Sequence, residues 1–507
     1  MKRSRIFALG FAAAFMLAIF IRFYRLGFCS LWMDEAIVGF TLIKPTIKEM
    51  IFPAGMTQPA PIFFLATLRS IISIFGKSEF ALRLLPAVAG TLSIILTYLL
   101  CKKITLGDKA ASTIAALLLA FNPMMVRYSR EMKNYIVDVF FLLLLFYVTE
   151  IFISKRYDKK YFALLLLISV ISVGFSYVAV FAILTVSIRL LFEVLKLKEW
   201  KKLTGVAIYL CAGTAIFLSA YLLILLPQMK VRGYGSGEWA QQYFMQSHAP
   251  YYIFSFICKH TYEFFTYLFN ATWYPFGHLI NIPLLMCLLF LLGIVSVSVK
   301  RNYAALIYCS FPMALAIAAS AFKKFTYGGW RADLFLAPLI FIYIALALSR
   351  LLKAQGRLGK SLLLLFLCAL LTLPYVSTPP PWLRYPDADI ENIKPVLKFY
   401  GENKLPKDLT YVYYGARPAF VFYRGETDKN ITYGKDYREN PLKFYAELNN
   451  MIKDGGADRV WVILSHYPVE YKKLFLRYFL MKGYELSESS ADTNVRVYMF
   501  KSKGALI

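Results

Sequence analysis

The chain has 507 residues, of which 59% are hydrophobic and only 17% are charged. Soluble domains carry about a quarter charged residues, and several apolar runs here approach the roughly 20 residues that cross a bilayer, so a soluble fold is excluded in favour of a polytopic helical membrane protein. The net charge of +27 does not call for a nucleic-acid partner, because much of the excess lies in short loops between apolar runs, where lysine and arginine set topology.

The first apolar run, Ile6 to Ile21, is followed by Arg22, Phe23, Tyr24 and Arg25. These are unlike a small-residue cleavage site, so the run is expected to be a retained span. With it, about eleven spans are expected: 6–21, 84–101, 110–126, 136–153, 161–175, 178–195, 204–226, 279–299, 303–322, 333–349 and 361–377. In this count the basic segments Lys2-Arg3 with Arg5, Lys102-Lys103, Lys155-Arg156 with Lys159-Lys160, Lys196 through Lys202, Lys300-Arg301, and Arg350 through Lys360 all fall on one side. The positive-inside rule makes that side cytoplasmic. The N-terminus is then inside and the C-terminus outside.

The longer connections, 22–83, 127–135, 227–278 and 323–332, fall on the other face. Asp34 to Phe52 reads as one amphipathic helix lying along the membrane, with Ile37, Phe40, Ile43 and Ile47 at helical spacing. Pro59 and Pro61 break the chain, and Ile62 to Phe75 reads as a second apolar helix in the outer interface. Counting it as a span would reverse every later loop. Residues 227–278, rich in tyrosine, phenylalanine and glycine, read as a mobile cover over a site. After Pro379-Pro380-Pro381 the composition becomes that of a soluble domain. Strand patterns at Leu409–Tyr414, Val460–Leu464 and Val495–Phe500 alternate with helical ones at Glu391–Tyr400, Pro441–Ile452 and Val469–Met481, which suggests a small α/β layer domain. The expected fold is an all-α polytopic membrane domain over 1–378 and an extracytoplasmic α/β domain over 379–507. Seven cysteines are scattered with no CxxC pair; Cys29 and Cys258 share the outer side and are expected to be separate thiols.

The acidic pair Asp34-Glu35, just past the first span, carries the chemistry in this reading. Charge is costly in lipid, so two adjacent carboxylates at a span's exit must face water, a cation or a site. The same face holds Arg22, Arg25, Arg69, Lys77, Arg83, Arg127, Arg130, Lys133, Lys230, Arg232, Lys323, Lys324 and Arg331. So many cations outside run against the positive-inside rule, and a lipid-linked phosphate is the natural anion to hold them there. A carboxylate close to that phosphate could take the proton of an attacking hydroxyl, and Asp34 fits that need. Plainer roles compete. Asp34 can serve as the N-cap of its helix, Arg83 can snorkel at a span end, Arg130 and Glu131 can belong to a solvated loop, and Arg331 can pair locally with Asp333. His248, His260 and His278 do not have the spacing of a metal site, and a divalent metal is neither required nor excluded.

Four segments, in order over about the first 340 residues, resemble the C-type (GT-C) membrane glycosyltransferases, in the branch of the protein O-mannosyltransferases and lipid A aminoarabinose transferases. They are Arg25-Leu26 through Leu31-Trp32-Met33-Asp34-Glu35; Gln58-Pro59-Ala60-Pro61-Ile62-Phe63-Phe64 with Phe75-Gly76-Lys77-Ser78-Glu79-Phe80-Ala81-Leu82-Arg83-Leu84; Asn122-Pro123 through Tyr128-Ser129-Arg130-Glu131 to Tyr135; and Tyr327-Gly328-Gly329-Trp330-Arg331 through Pro338. The resemblance implies many transmembrane helices with two juxtamembrane helices in the first external loop. It implies transfer of one sugar from a polyprenyl-phosphate-linked donor to an acceptor (a lipid, glycan or protein) at the outer face of the cytoplasmic membrane. It also implies roles: Asp34 and Glu35 catalytic; Arg83, Arg331 and Arg130 at the donor phosphate; Glu131, Tyr135 and Tyr128 lining the site. The chain differs from the mannosyltransferases in lacking their large β-trefoil insert. The rival readings are a lipid-linked sugar transporter or flippase, which would favour paired repeats and broken midplane helices, and a non-catalytic assembly protein.

Overall fold

The computed structural model describes residues 2–52, 58–228, 241–274, 277, 279–328, 330–376, 391–425, 429–437, 440, 442–455 and 458–505. Two compact units emerge: Met1–Leu26 with Pro59–Pro380, and Gly27–Gln58 with Pro381–Ile507. The loop that carries Asp34 thus belongs to the same unit as the C-terminal segment.

The first unit is a bundle of apolar helices. In chain order they are α1 (Lys2–Phe23), then, past the second unit's α2 (Met33–Leu42) and α3 (Ile47–Ile51), α4 (Ile62–Phe75), α5 (Glu79–Ile104), α6 (Lys109–Phe121), α7 (Pro123–Ser129), α8 (Tyr135–Ser154), α9 (Lys159–Phe175), α10 (Ala179–Leu197), α11 (Leu203–Ala220), α12 (Pro250–Leu268), α13 (Ile282–Val299), α14 (Tyr303–Ala321), α15 (Ala337–Ala354) and α16 (Arg357–Val376). Each of the eleven expected spans overlaps these helices, the one at 110–126 lying across two of them, α6 and α7. Among the described residues seven helices are long and apolar enough to cross a membrane, and a bent pair makes an eighth. The protein is a multi-pass membrane protein. Of the three remaining expected spans, α1 offers the shorter apolar stretch Leu9–Phe23, α9 has 17 residues and α10 carries Arg189 and Glu193. α15 is the bundle's central helix, with every residue from Ala337 to Ser349 buried. α13 shows the opposite pattern on one side: Leu284, Leu288, Leu291, Leu292 and Val295 are all exposed, an apolar stripe suited to lipid.

One cluster of charges inside the bundle is ion-paired, as lipid favours. Arg189 on α10 lies 2.9 Å from Glu150 on α8 and 2.7 Å from Glu193 one turn on, and Tyr308 donates to Glu150 at 3.0 Å.

Two boundaries follow from single residues. Pro61 precedes α4, and Gly76 closes it at φ +73, a left-handed conformation that glycine adopts at little cost. The expected span 110–126 is bent by 59° at Asn122-Pro123. Asn122 accepts from the amides of Met124 (3.1 Å) and Met125 (3.3 Å), and Pro123 opens α7, where its missing N–H costs nothing. The 227–278 connection is corrected in part: residues 250–268 form the helix α12, opened by Pro250 at its first turn. The rest of the expected cover at 229–240, with Lys230 and Arg232, lies outside the described residues.

The second unit is a five-stranded sheet with helices on both faces. Its strands β1 (Leu409–Val412), β2 (Ile431–Tyr433), β3 (Arg459–Ser465), β4 (Tyr484–Asp492) and β5 (Val495–Ser502) lie in the order β2-β1-β3-β5-β4. β1 is parallel to β2 and β3, whereas β5 is antiparallel to β3 and β4. Side chains alternate across a strand. Tyr411 and Val462 therefore face α19 (Lys443–Gly455) and α20 (Val469–Met481), with Phe444, Phe475 and Phe479 in one buried cluster. Thr410 and Trp461 face the other way, against Tyr400 of α17 (Ile393–Asn403), which in turn packs on Phe420 of α18 (Arg417–Arg424). The edge strand β4 is mostly exposed and polar, the usual protection of a free edge.

The single helix expected over Asp34–Phe52 is two. Pro45 cannot continue a helix, and Thr46 starts α3 by accepting from the Glu49 amide at 3.1 Å. Nor is its apolar side simply a membrane face: Met33 and Ile37 of α2 belong to the sheet's buried cluster, and α2 packs on α18. The structure places none of the seven cysteines, Cys29 and Cys258 included, in a disulfide.

Candidate active site

Every helix leaves its first amides without an internal acceptor. At α2 the N-cap position is Trp32, whose indole cannot accept a proton. The acceptor comes from far along the chain: Met33 N–H donates to Glu391 Oε2 at 2.9 Å. Asp34 is therefore not the N-cap, and the capping alternative is set aside. It sits in the first turn with Glu35, where the helix dipole favours a negative charge. Both are buried. Asp34 Oδ1 accepts from Gln58 Nε2 at 2.6 Å.

The residues just before Asp34 are held through their main chain. Ser30 N–H donates to Asn392 Oδ1 (3.1 Å), Ile393 N–H donates to Ser30 Oγ (2.8 Å) and Leu31 N–H donates to Tyr423 OH (2.9 Å). Glu391 Oε1 lies 2.7 Å from His466 Nδ1. His466 follows β3 with φ +51, uncommon for a residue with a side chain. Beside it the end of β1 comes so close that a Cβ on Gly415 would meet the Ser465 carbonyl oxygen at 2.6 Å; only glycine fits there.

The basic candidates lie in the first unit, around the end of α1. Arg130 Nη1 donates to the carbonyls of Ile21 (2.7 Å), Tyr24 (2.7 Å) and Arg22 (3.3 Å). Arg83, buried on α5, donates to the Leu26 carbonyl at 3.0 Å. Leu26 is the last residue before the second unit begins. Arg22, counted above among cations for an outer anion, is instead wholly buried. It donates to the carbonyls of Ala18, Leu119 and Ala120 and to Ser129 Oγ. The two carbonyls at the end of α6 carry the negative end of that helix's dipole, which suits a cation.

Arg331 stands over the Tyr135 ring, 5.6 Å from its centre. Tyr135 meets Tyr128 edge-on at 5.4 Å, and the Tyr128 and Tyr267 hydroxyls are hydrogen-bonded. Burial first, then the nearby Glu131, raises the Tyr267 phenol above its ordinary pKa, against a smaller opposing pull from that hydrogen bond, Arg127 and Arg331. Glu131 and Lys133 are buried in the same loop. The first unit thus gathers Arg331, Tyr135, Tyr128, Glu131 and, from α12, Tyr267. Sequence reasoning passed over Tyr267, because α12 was read as a loop. It also passed over Glu391 and His466, and it quoted Gln58 without giving it a role. For Glu391 no local pattern signals a contact 358 residues away.

Of the three outer histidines, His260 is buried against Phe256 and lies 2.8 Å from Glu263, and burial lowers its pKa. His248 lies 3.3 Å from the Ala321 carbonyl, and His278 lies outside the described residues. Among the described residues no three His, Cys, Asp or Glu side chains come together as metal ligands.

Residues 59–224 match the family model of dolichyl-phosphate-mannose-protein mannosyltransferases. No curated protein matches the chain in sequence. Among solved structures, ArnT from Cupriavidus metallidurans in the apo state is 11% identical, with a TM-score of 0.56 over 98% of either chain. The same protein bound to undecaprenyl phosphate is 13% identical, with a TM-score of 0.54 over 97% of this chain and 98% of that one. The Archaeoglobus fulgidus oligosaccharyltransferase is 15% identical, with a TM-score of 0.52 over 96% of this chain and 72% of its own. The fold is that of the C-type membrane glycosyltransferases. The family match, over residues 59–224, falls within that fold.

Proposed function

We propose that this glycosyltransferase is an inverting enzyme that moves a single hexosyl or pentosyl unit from a polyprenyl-phosphate donor to an acceptor hydroxyl, at the outer face of the cytoplasmic membrane. The acceptor oxygen attacks the anomeric carbon, and Asp34 takes its proton. The bond from that carbon to the phosphate oxygen breaks on the opposite face, so configuration inverts and polyprenyl phosphate leaves. Arg83, with Arg331 or Arg130, stabilises the charge that develops on the leaving phosphate. Glu35 is the second acid of the pair, and Glu131, Tyr128 and Tyr135 line the site. The N-terminus is cytoplasmic and the α/β unit extracytoplasmic.

One observation carries the reading. Asp34 lies in the first turn of a helix whose amide is capped by another residue, so its carboxylate is not consumed by capping. A polyprenyl-phosphate carrier is supported by the ArnT relative solved with undecaprenyl phosphate and by the dolichyl-phosphate-mannose family match.

The test is Asp34→Asn, which keeps shape and removes the base. Purified protein in detergent, supplied with labelled polyprenyl-phosphate sugar, should lose at least about a hundredfold in release of free polyprenyl phosphate, the usual scale of a general-base contribution. Near-normal release with donor binding unchanged would remove Asp34 from this role. Movement of intact donor across a vesicle bilayer without cleavage would favour a flippase instead.

A further inference from the structure

We infer that Glu391, held by His466 at the carboxyl ends of β1 and β3, is a positioning residue for Asp34, and that the α/β unit serves as the mount of the acidic loop. The inference rests on the reading of Asp34 as the base.

The argument starts from topology. β1 and β3 are parallel neighbours, but the chain leaves them in opposite directions: β1 runs through α18 to β2, and β3 runs through α20 towards β4 and β5. Such a switch point opens a crevice at the carboxyl ends of the two strands, and open α/β sheets bind ligands there. Here Gly415 and His466 sit at those ends. The position is taken by the protein's own chain. Met33 packs in the cluster of Tyr414 and Tyr471, its amide is bound by Glu391, and Glu391 is bound by His466.

The clamp is made of main-chain groups on the loop side. Ser30, Leu31 and Met33 are each held by their N–H, from Asn392, Tyr423 and Glu391 respectively. A main-chain clamp fixes the path of the backbone and so the direction in which the next side chain leaves it. Asn392 is itself fixed, donating to Asp492 Oδ2 at 3.2 Å. His466 pays for its place with a left-handed backbone, which persists only where the surroundings over-determine it. Its ring orients one carboxylate oxygen of Glu391, and the other oxygen orients α2.

The experiment uses the full-length protein in detergent and two variants of one residue. Glu391→Ala should speed hydrogen exchange of the amides of residues 33–36 at least about tenfold. Turnover should fall about ten- to hundredfold, the scale of a misplaced reacting group, while the KM for donor and the affinity for undecaprenyl phosphate stay as they are. Glu391→Gln keeps an oxygen for the Met33 amide, and both exchange and turnover should stay within about threefold of the parent. His466→Ala should fall between them. Unchanged exchange at 33–36 in Glu391→Ala overturns the inference, as does a Gln variant no better than Ala. Loosened exchange combined with a fully active Asp34→Asn protein overturns instead the reading of Asp34 on which the inference rests, so the two failures are told apart.

Discussion

Two aspartates at helix starts in this protein, Asp108 and Asp34, are used in opposite ways. At α6, Asp108 is a true N-cap: Oδ1 accepts from the Ala111 amide at 3.1 Å, both oxygens accept from Ser349, and Lys353 donates to Oδ2 at 2.6 Å. The first of those contacts caps α6, and those with Ser349 and Lys353 tie it to α15. At α2, Asp34 sits two residues past the N-cap position, and the capping work is done by Glu391. On the proposed reading of Asp34 as the base, the source of the cap rather than burial sets the two acids apart, since Asp34 is the more buried of the two.

The comparison breaks most visibly through Asp34→Asn, with its expected loss of about a hundredfold in transfer and an unchanged unfolding midpoint. If that variant instead unfolds earlier and transfers normally, Asp34 is structural after all. Gln58→Ala sharpens the same point at smaller scale. Gln58 donates to Asp34 Oδ1, and a hydrogen bond to a charged group contributes about 1.5 kcal/mol at the lower end of its range. Turnover should fall about tenfold, read in the same release assay with donor affinity as the control; a fall in affinity alone would assign Gln58 to donor binding.

What the sequence revealed follows from the range of each interaction. Apolar runs are local signals, and the expected spans fall in helices, although 110–126 is broken at Asn122-Pro123 and, among the described residues, seven helices, or eight with that bent pair, are long and apolar enough to cross. Ile62–Phe75 was placed to the residue, because Pro61 and Gly76 punctuate it. Strand patterns at 409, 460 and 495 were legible as short apolar runs, which the structure buries almost throughout. β4 was missed because its exposed edge carries polar residues with no periodicity, and α18 because eight residues give too short a pattern. Pro45 announced the break in the acidic loop's helix, but the apolar spacing of Ile37, Phe40, Ile43 and Ile47 concealed it. Among the candidate residues, Asp34-Glu35 stood out in the sequence from its place after a span, and Arg83, Arg130 and Arg331 from the side on which the expected topology puts them. The joining of residues 27–58 to the C-terminal unit could not be read, because it rests on contacts between residues some 360 positions apart that leave no trace in any window of sequence.

The smallest effects belong to Asp108. Asp108→Ala should lose about 1 kcal/mol, the ordinary cost of a deleted N-cap, seen as a lower unfolding midpoint in detergent with transfer unaffected. Acid supplies an independent check. Burial of Asp108 opposes its ionised form, but Lys353, the Ala111 amide and Ser349 outweigh it and hold its pKa below the ordinary carboxylate value. A carboxylate whose folded pKa is depressed contributes stability that is fully present above its unfolded pKa, about 3.9, and lost as pH falls through the lower folded value. The midpoint gap between the parent and Asp108→Asn should therefore be widest near neutrality, hold down to about pH 4, and close below it, where both side chains are uncharged. A gap that stays constant through that acid range would mean that Asp108 holds α6 without its charge, and its contrast with Asp34 would then rest on geometry alone.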